Sequence, residues 1–277
     1  MTTIEVHAHD AMQFVNDQDA ATIERFIDRL EFRASDPTFV GYRDAYLDLI
    51  DLPSTTTVLE VGCGTGVVTR AIAAREDFHG TVVGIDQSPA FITAAARLAA
   101  DDRVGHRVKL LIGDAHELEL PAGSFDVAVA HTLLSHVRDP LTVLTETARV
   151  VRPGGRVVIF DGDYASLTFG CTDPGLGQAV EPVLQSMIMS SPRVMREIPR
   201  LLPTAGLHLV ATQAHAYAEA GSSTFFLNLA ETYAPLACST GQLPAALLDR
   251  WLADQRRSAE NGTFFAACNY YTYIARR

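Results

Sequence analysis

A chain of 277 residues, 48% hydrophobic and 20% charged, is long enough for one large domain with elaborations and does not have a disordered, collagenous or low-complexity composition. Its 22 basic against 33 acidic side chains give a formal charge of −11, which makes a nucleic-acid backbone or an anionic membrane an unfavourable partner. Lys109 is the single lysine and no G-x-x-x-x-G-K-[ST] stretch exists, so Schiff-base chemistry has one candidate and a nucleoside triphosphate has no phosphate loop.

The first residues carry acids and histidines instead of a basic segment followed by an apolar one, and no 18 apolar residues run together. The expectation is a soluble, cytoplasmic protein without membrane insertion. From about Asp17 to Ile50, apolar residues recur at three- and four-residue steps (Ile23, Phe26, Ile27, Leu30, then Tyr42, Tyr46, Leu47, Ile50), which predicts two amphipathic helices broken at Ser35-Asp36-Pro37. After Asp51-Leu52-Pro53-Ser54 the pattern changes to short apolar runs at Thr57 to Val61, Thr81 to Ile85, Arg107 to Ile112, Phe125 to Ala130 and Arg156 to Phe160. These read as strands buried on both faces. Helical spacing at Val67 to Arg75, Pro89 to Ala100 and Leu141 to Val151 alternates with them, and such alternation predicts a parallel sheet covered on both sides. Beyond Asp161 the expected elements are helices near Leu176 to Met189 and Arg193 to Leu202, a strand at Leu207 to Tyr217, helices within Thr224 to Ala259, and a strand near Phe265 to Ala275. Ten of the 22 aromatic residues lie from Tyr217 onward, as a dense packing layer or as one wall of an apolar pocket.

Val58-Leu59-Glu60-Val61-Gly62-Cys63-Gly64-Thr65-Gly66 joins the first strand to the first crossover helix, where bare backbone and a helix N-terminus meet a polar ligand closely. The G-x-G-x-G spacing departs from the G-x-G-x-x-G dinucleotide fingerprint. Asp86 closes the second strand 20 residues beyond Gly66, where an acid accepts hydrogen bonds from ribose hydroxyls, and Asp114 closes the third. With Glu60 beside the loop, this much negative charge suits a cationic or zwitterionic ligand better than a pyrophosphate.

Over about residues 55 to 162 the sequence resembles the class I S-adenosylmethionine-dependent methyltransferases, in the small-molecule branch that includes the ubiquinone and menaquinone biosynthesis type. The resemblance lies in Val58 to Gly66, Val83 to Pro89, Gly113-Asp114-Ala115, Ser124 to Val127, His131 to Pro140 and Val151-Arg152-Pro153-Gly154-Gly155. It implies a Rossmann-like α/β fold with a seven-stranded, mostly parallel sheet. Residues 1–50 would form an N-terminal helical cap, and 51–277 the methyltransferase domain, with substrate-specificity insertions at about 163–203 and 220–262. It also implies S-adenosyl-L-methionine as cofactor. The methionine end would lie over Gly62, Gly64 and Gly66, the ribose on Asp86, and the adenine between Gln87 and Asp114 with Ala115. Val151 to Gly155 would be a structural turn into the fifth strand.

Each residue also has a plainer reading. Ser88 is better placed than Asp86 to cap the next helix, with Pro89 at its first position. Asp114 suits a turn, Cys63 a small buried filler, and Asp126 the start of strand four. Cys63, Cys171, Cys238 and Cys268 share no C-x-x-C spacing and are expected as reduced thiols. His131, at the end of the fourth strand, is the candidate base and a candidate cofactor contact. His136 and Tyr164 are substrate-binding candidates, although five helical residues would set His131 and His136 about 140° apart. Arg33 and Arg43, on the N-terminal helices, are candidates for a cofactor carboxylate. Asp161-Gly162-Asp163-Tyr164 leaves the fifth strand at the crevice, and the expectation there is no metal. Met187, Met189 and Met195 belong to an adaptable pocket wall or to core.

The expected function is methyl transfer to a small, partly apolar molecule by direct displacement, with no nucleic-acid partner. The alternatives are a non-methylating cyclase or rearrangement catalyst that keeps the cofactor, a nicotinamide-dependent dehydrogenase, and a scaffold with a vestigial pocket.

Overall fold

Asp36 ends one helix and begins the next. In the computed structural model, which describes residues 10–50, 52–239 and 243–277, α1 (Ala20–Ser35) stops where Asp36 turns to extended backbone. The Asp36 carboxylate then accepts the N–H groups of Thr38 and Phe39, at 2.8 and 3.4 Å. Pro37 opens α2 (Pro37–Leu49) at a position that needs no amide hydrogen. The break expected at Ser35-Asp36-Pro37 is therefore a shared cap.

The strands are β1 (Thr57–Val61), β2 (Thr81–Asp86), β3 (Val108–Ile112), β4 (Phe125–His131), β5 (Val151–Phe169), β6 (His208–Gly221) and β7 (Phe264–Arg276). They form one sheet in the order β3-β2-β1-β4-β5-β7-β6. β1 to β5 are parallel, and β7 runs antiparallel to both its neighbours, β5 and β6. The crossovers are α3 (Val67–Ala73), α4 (Pro89–Asp101) and α5 (Pro140–Val150).

The two-residue side-chain period sorts the core into two layers. Val58, Val127, Val129 and Val158 pack with Val68 and Ile72 of α3 and Phe91 and Ala94 of α4. Their sequence neighbours Leu59, Ala128, Val157 and Ile159 pack with Val143 and Leu144 of α5 on the other face. Each fully buried Val or Leu there contributes about 1.5–3 kcal/mol, so a slip of one residue in register would forfeit many such terms at once. Because α3 and α4 cover one face and α5 the other, the winding reverses between β1 and β4, where open α/β sheets bind ligands.

Helices α6 (Pro174–Ile188) and α7 (Val194–Thr204) join β5 to β6, and α8 (Phe225–Ser239) and α9 (Ala245–Glu260) join β6 to β7. Phe225, Phe226, Trp251, Phe264 and Tyr270 are fully buried in one cluster, so most of the late aromatic residues form a packing layer.

Several expectations change. β3 is the sheet's edge, with Ile112 61% exposed, so Arg107 to Ile112 is not buried on both faces. Val151 to Gly155 is no separate turn but the start of β5, which bulges between its pairings to Phe125 and Val127. A Cβ on Gly155 would meet Val151 Cγ1 at 2.5 Å and the Asp126 carbonyl at 2.7 Å, which is why the bulge takes glycine there. Asp161 to Tyr164 does not leave the strand: β5 continues through it to Phe169, paired to Tyr271, Tyr270 and Asn269 of β7 at Asp161 to Asp163. Asp126 accepts the Thr57 N–H at 2.8 Å and the Arg152 Nε–H at 2.6 Å, and so ties β4 to the start of β1. Cys63, Cys171 and Cys268 are free thiols. The acids and histidines before Asp10, and the side chains of Met187 and Cys238, lie outside what the structure describes.

Candidate functional site

Four strand C-termini converge on one cleft of about 380 Å³. β1 supplies Glu60 and the loop Gly62 to Thr65, β2 supplies Ile85 to Gln87, β3 leads to Gly113 to His116, and β4 supplies His131 to Leu133. The volume falls within the ~300–1,000 Å³ range of small-ligand pockets. Leu30 and Arg33 of α1 close one side, and Met12 to Asp17, including a single 3₁₀ turn at Val15–Asp17, lies along the rim.

The loop is held by its own main chain. Cys63 N–H donates to the Ile85 carbonyl at 2.9 Å, and Gly66 N–H donates to the Cys63 carbonyl at 2.8 Å. Gly62 and Gly64 have φ of +68° and +54°. A Cβ on Gly62 would stand 2.5 Å from Leu133 Cδ1, and one on Gly64 would stand 3.2 Å from Leu30 Cδ1. Only bare backbone fits both the dihedrals and the space.

Asp86 is the central acid. Its carboxylate accepts Gly64 N–H at 2.8 Å and Ser88 N–H at 2.9 Å, tying the loop to the end of β2. An ionised carboxylate has about four lone-pair sites, so roughly two remain for ligand hydroxyls. Burial raises its pKa against these hydrogen bonds and the charge of His136. Ser88 caps α4, accepting the Phe91 N–H, as expected. Glu60 lines the cleft with one oxygen engaged elsewhere: Oε2 accepts both the N–H and the hydroxyl of Thr69 in α3. Burial drives its pKa up to about 7, although the Thr69 hydrogen bonds oppose that rise. Asp114 accepts the N–H of His116 at 2.8 Å and faces its Nδ1 at 2.7 Å. Burial raises its pKa, but the His116 contacts outweigh this and leave it lowered.

His131 and His136 both line the cleft, and the intervening segment is not helical, so the expected 140° separation does not apply. Thr132, at φ +53°, turns the chain sharply after β4. His131 Nδ1 lies 3.0 Å from the buried Tyr46 hydroxyl, and its ring stacks on Phe160. Burial, reinforced by the charges of Arg33 and Arg43, holds its pKa well below the ordinary imidazole value. His136 is its opposite. Burial lowers its pKa, but the charge and hydrogen bond of Asp10, 2.8 Å from Nδ1, together with Asp161 outweigh burial and leave it raised.

Three candidates fall outside the cleft. Gly66 is the N-cap of α3, where a Cβ would stand 3.3 Å from Ala95 Cβ, so its smallness serves helix packing. Arg43 pairs with Asp44 at 2.9 Å and lines a separate crevice of about 10 Å³ with Arg33 and His131. Tyr164 lines a third space, an inner cavity of about 40 Å³ that shares Met12, Leu30, Arg33, Thr132 and His136 with the main cleft. The carboxylates near it are occupied: Asp161 accepts from Ser135 and Gly162, and Asp163 binds Arg196 bidentately. Among the described residues no group of three metal-ligating side chains occurs. Met189 lines the inner cavity and Met195 is core.

Sequence reasoning missed the rim segment, Thr65, His116 and Arg29. Asp10 is fully buried and anchors the rim by accepting from Met12 N–H, Ser190 N–H and His136. Asn16 donates to the Gln87 carbonyl and Gln87 Nε2 donates to the Gln13 carbonyl, both at 3.0 Å. Arg29 lies one helical turn before Arg33 on the same face of α1, a spacing that does not disclose its burial.

The residues present fit S-adenosylmethionine. Thr65 Oγ1 and His116 Nε2 line the cleft, buried and without a hydrogen-bond partner among the described residues. Bare loop backbone, the spare lone pairs of Asp86 and these two orphaned atoms match a ligand with hydroxyl, amino and ring-nitrogen groups.

Residues 59–159 match the methyltransferase domain family. An uncharacterised 37.1 kDa protein of transposon TN4556 from Streptomyces fradiae is 32% identical over 85% of this chain and 66% of its own length. A demethylmenaquinone methyltransferase from Bacillus licheniformis is 37% identical over 43% of the chain and 50% of its own length. The chain thus spans less than two thirds of either relative. The crystal structure of a geranyl diphosphate C-methyltransferase from Streptomyces coelicolor, in complex with S-adenosyl-L-homocysteine among other ligands, has a TM-score of 0.54 at 18% identity and covers 86% of this chain and 76% of its own. By its matched segment, its strand order and its glycine loop facing Asp86, the chain carries a class I S-adenosylmethionine-dependent methyltransferase domain.

Proposed function

We propose that this chain catalyses methyl transfer from S-adenosylmethionine to a small, partly apolar acceptor. The carrying observation is the pair of hydrogen bonds from Gly64 and Ser88 to Asp86, which fixes a carboxylate with spare lone pairs in the cleft beside bare loop backbone. In this reading Gly62 and Gly64 approach the methionine end, Arg33 its carboxylate, Asp86 the ribose, and Gln87, Asp114 and Ala115 the base.

The bound cofactor supplies a methyl group already activated by its sulfonium leaving group, so the protein's task is alignment and exclusion of water. Leu30, Leu133 and the rim segment provide the walls. His131 is neutral and weakly basic, and its Nδ1 is engaged by Tyr46, so it serves better as a hydrogen-bonding and positioning group than as a proton acceptor. His136, held by Asp10, favours its protonated form. Neither is a ready base, which supports displacement by proximity and orientation on an acceptor that needs no deprotonation.

The caps α1 and α2 act as the cover of the cleft, and the segments carrying α6 to α9 set the choice of acceptor. The charge of −11 supports a small molecule over a nucleic acid as partner. No helix among the described residues is long and apolar enough to cross a membrane. The test is calorimetry with S-adenosylhomocysteine, followed by a turnover assay on candidate acceptors. S-Adenosylhomocysteine should bind and should form from S-adenosylmethionine in step with a product one methylene heavier. No binding, or a product of unchanged mass, refutes the proposal.

A further inference from the structure

The inner cavity holds cationic charge that no acid neutralises. Arg29 is 9% exposed and lines this cavity with Arg33, one turn further along α1. Neither guanidinium forms an ion pair with a carboxylate among the described residues, although most other arginines of the chain do. Arg29 Nη1 donates to Asn228 Oδ1 and the guanidinium lies 4.8 Å from the Phe225 ring centroid. Arg33 donates to the Thr132 hydroxyl at 2.7 Å. Five N–H donors on each guanidinium leave most of this capacity unspent.

A buried cation without an anion is costly, and it persists when a ligand completes it. Asp10 and Asp161, whose charges reach the lining Tyr233 and Tyr164, do not complete it. Asp10 accepts from His136, Ser190, Met12 and Gln13, and Asp161 accepts from Ser135 and Gly162. Burial depresses the Arg29 pKa, the expected sign of a guanidinium stripped of water. The remaining walls are apolar or aromatic: Phe26, Tyr164, Phe225 and Tyr233. The cavity of about 40 Å³ has room for a carboxylate-sized group, at roughly 10–15 Å³ of such volume per water-sized atom, and adjoins the main cleft, with which it shares Met12, Leu30, Arg33, Thr132 and His136 as walls.

We propose that the methyl acceptor carries a carboxylate, seated in the inner cavity on Arg29 between the aromatic walls Tyr164, Phe225 and Tyr233, with its apolar body toward the main cleft, while Arg33 stays with the cofactor. This rests on the methyltransferase reading and names its substrate class. A planar guanidinium binds a carboxylate through two parallel hydrogen bonds, which a neutral amide of the same shape cannot match.

The experiment titrates protein saturated with S-adenosylhomocysteine with acetate, hexanoate and benzoate, each against its neutral amide. At least one acid should bind about tenfold tighter than its amide, a margin that Arg29→Gln abolishes and Arg29→Lys retains in part. If every acid binds no better than its amide, or if Arg29→Gln keeps the margin, the proposal is overturned. Should Arg29→Gln fail to fold, Arg29→Lys decides, because loss of the planar fork must shrink the margin. Binding of S-adenosylhomocysteine, measured in the first titration, separates the two readings: its failure sinks the methyltransferase assignment, whereas its success without acid preference sinks only the carboxylate seat.

Discussion

Asp86→Asn looks conservative in shape, yet the structure assigns it two separate costs. Both carboxylate oxygens accept a main-chain N–H, one from Gly64 and one from Ser88. An asparagine keeps one acceptor, and its amide N–H₂ then faces one of those donors, leaving a buried N–H unpaired at about 1–3 kcal/mol. The second cost falls on the ligand, because hydrogen bonds to a charged group contribute about 1.5–3 kcal/mol each and the variant loses the charge and at least one such bond. The expected outcome is a fall of about 1–3 kcal/mol in unfolding free energy in urea. Affinity for S-adenosylhomocysteine should fall by about one to two orders of magnitude in calorimetry, at 1.4 kcal/mol per tenfold. An affinity within about threefold of the parent, roughly 0.7 kcal/mol, would show that Asp86 serves the loop alone and that the ribose assignment is wrong.

The other predictions concern charge. Glu60 has its pKa raised from 4.5 to about 7, so between those values the folded chain keeps a proton that the unfolded chain has lost. Stability should therefore fall as pH rises through that window, by on the order of 3 kcal/mol, and Glu60→Gln should flatten the slope in urea melts at pH 5 and 8. His136 has a raised pKa, so its pairing with Asp10 contributes fully below about pH 6.5 and fades as pH climbs through the higher folded value. Asp10→Asn should lower the imidazole titration of His136 in NMR; an unmoved titration contradicts the pairing. Arg43→Ala should leave cofactor affinity unchanged while Arg33→Ala weakens it, since only Arg33 lines the cleft, and equal losses in calorimetry would reverse that distinction.

The parallel part of the sheet was legible because its strands are nearly all apolar between turn residues, and the two N-terminal helices because Ser35-Asp36-Pro37 combines a capping acid with a proline at the first helical position. The glycine loop, Asp86 and Asp114 were legible because strand ends in an alternating fold face one crevice. Three things were not. β5 runs on through Asp161 to Tyr164 because β7 pairs with it, a partnership between segments about a hundred residues apart that no local pattern encodes. Gly66 and Arg43 sit at plausible spacing but point to α4 and to Asp44, which spacing cannot distinguish from the cleft. Arg29 and Asp10 matter through burial, and a charged residue near a helix or terminus reads on its face as solvated.

The order of the sheet also bears on how this chain is made. β6 finds its hydrogen-bonding neighbour only in β7, the last strand in chain order, and β7 also closes the open flank of β5. During synthesis β6 must therefore wait, unpaired, for more than forty residues, while the cleft-forming half from β1 to β4 already has its partners. A ribosome-stalled chain ending before Phe264 should carry a protease-resistant front half and an adhesive, unsealed flank, which makes this last hairpin the step where chaperones have most to protect.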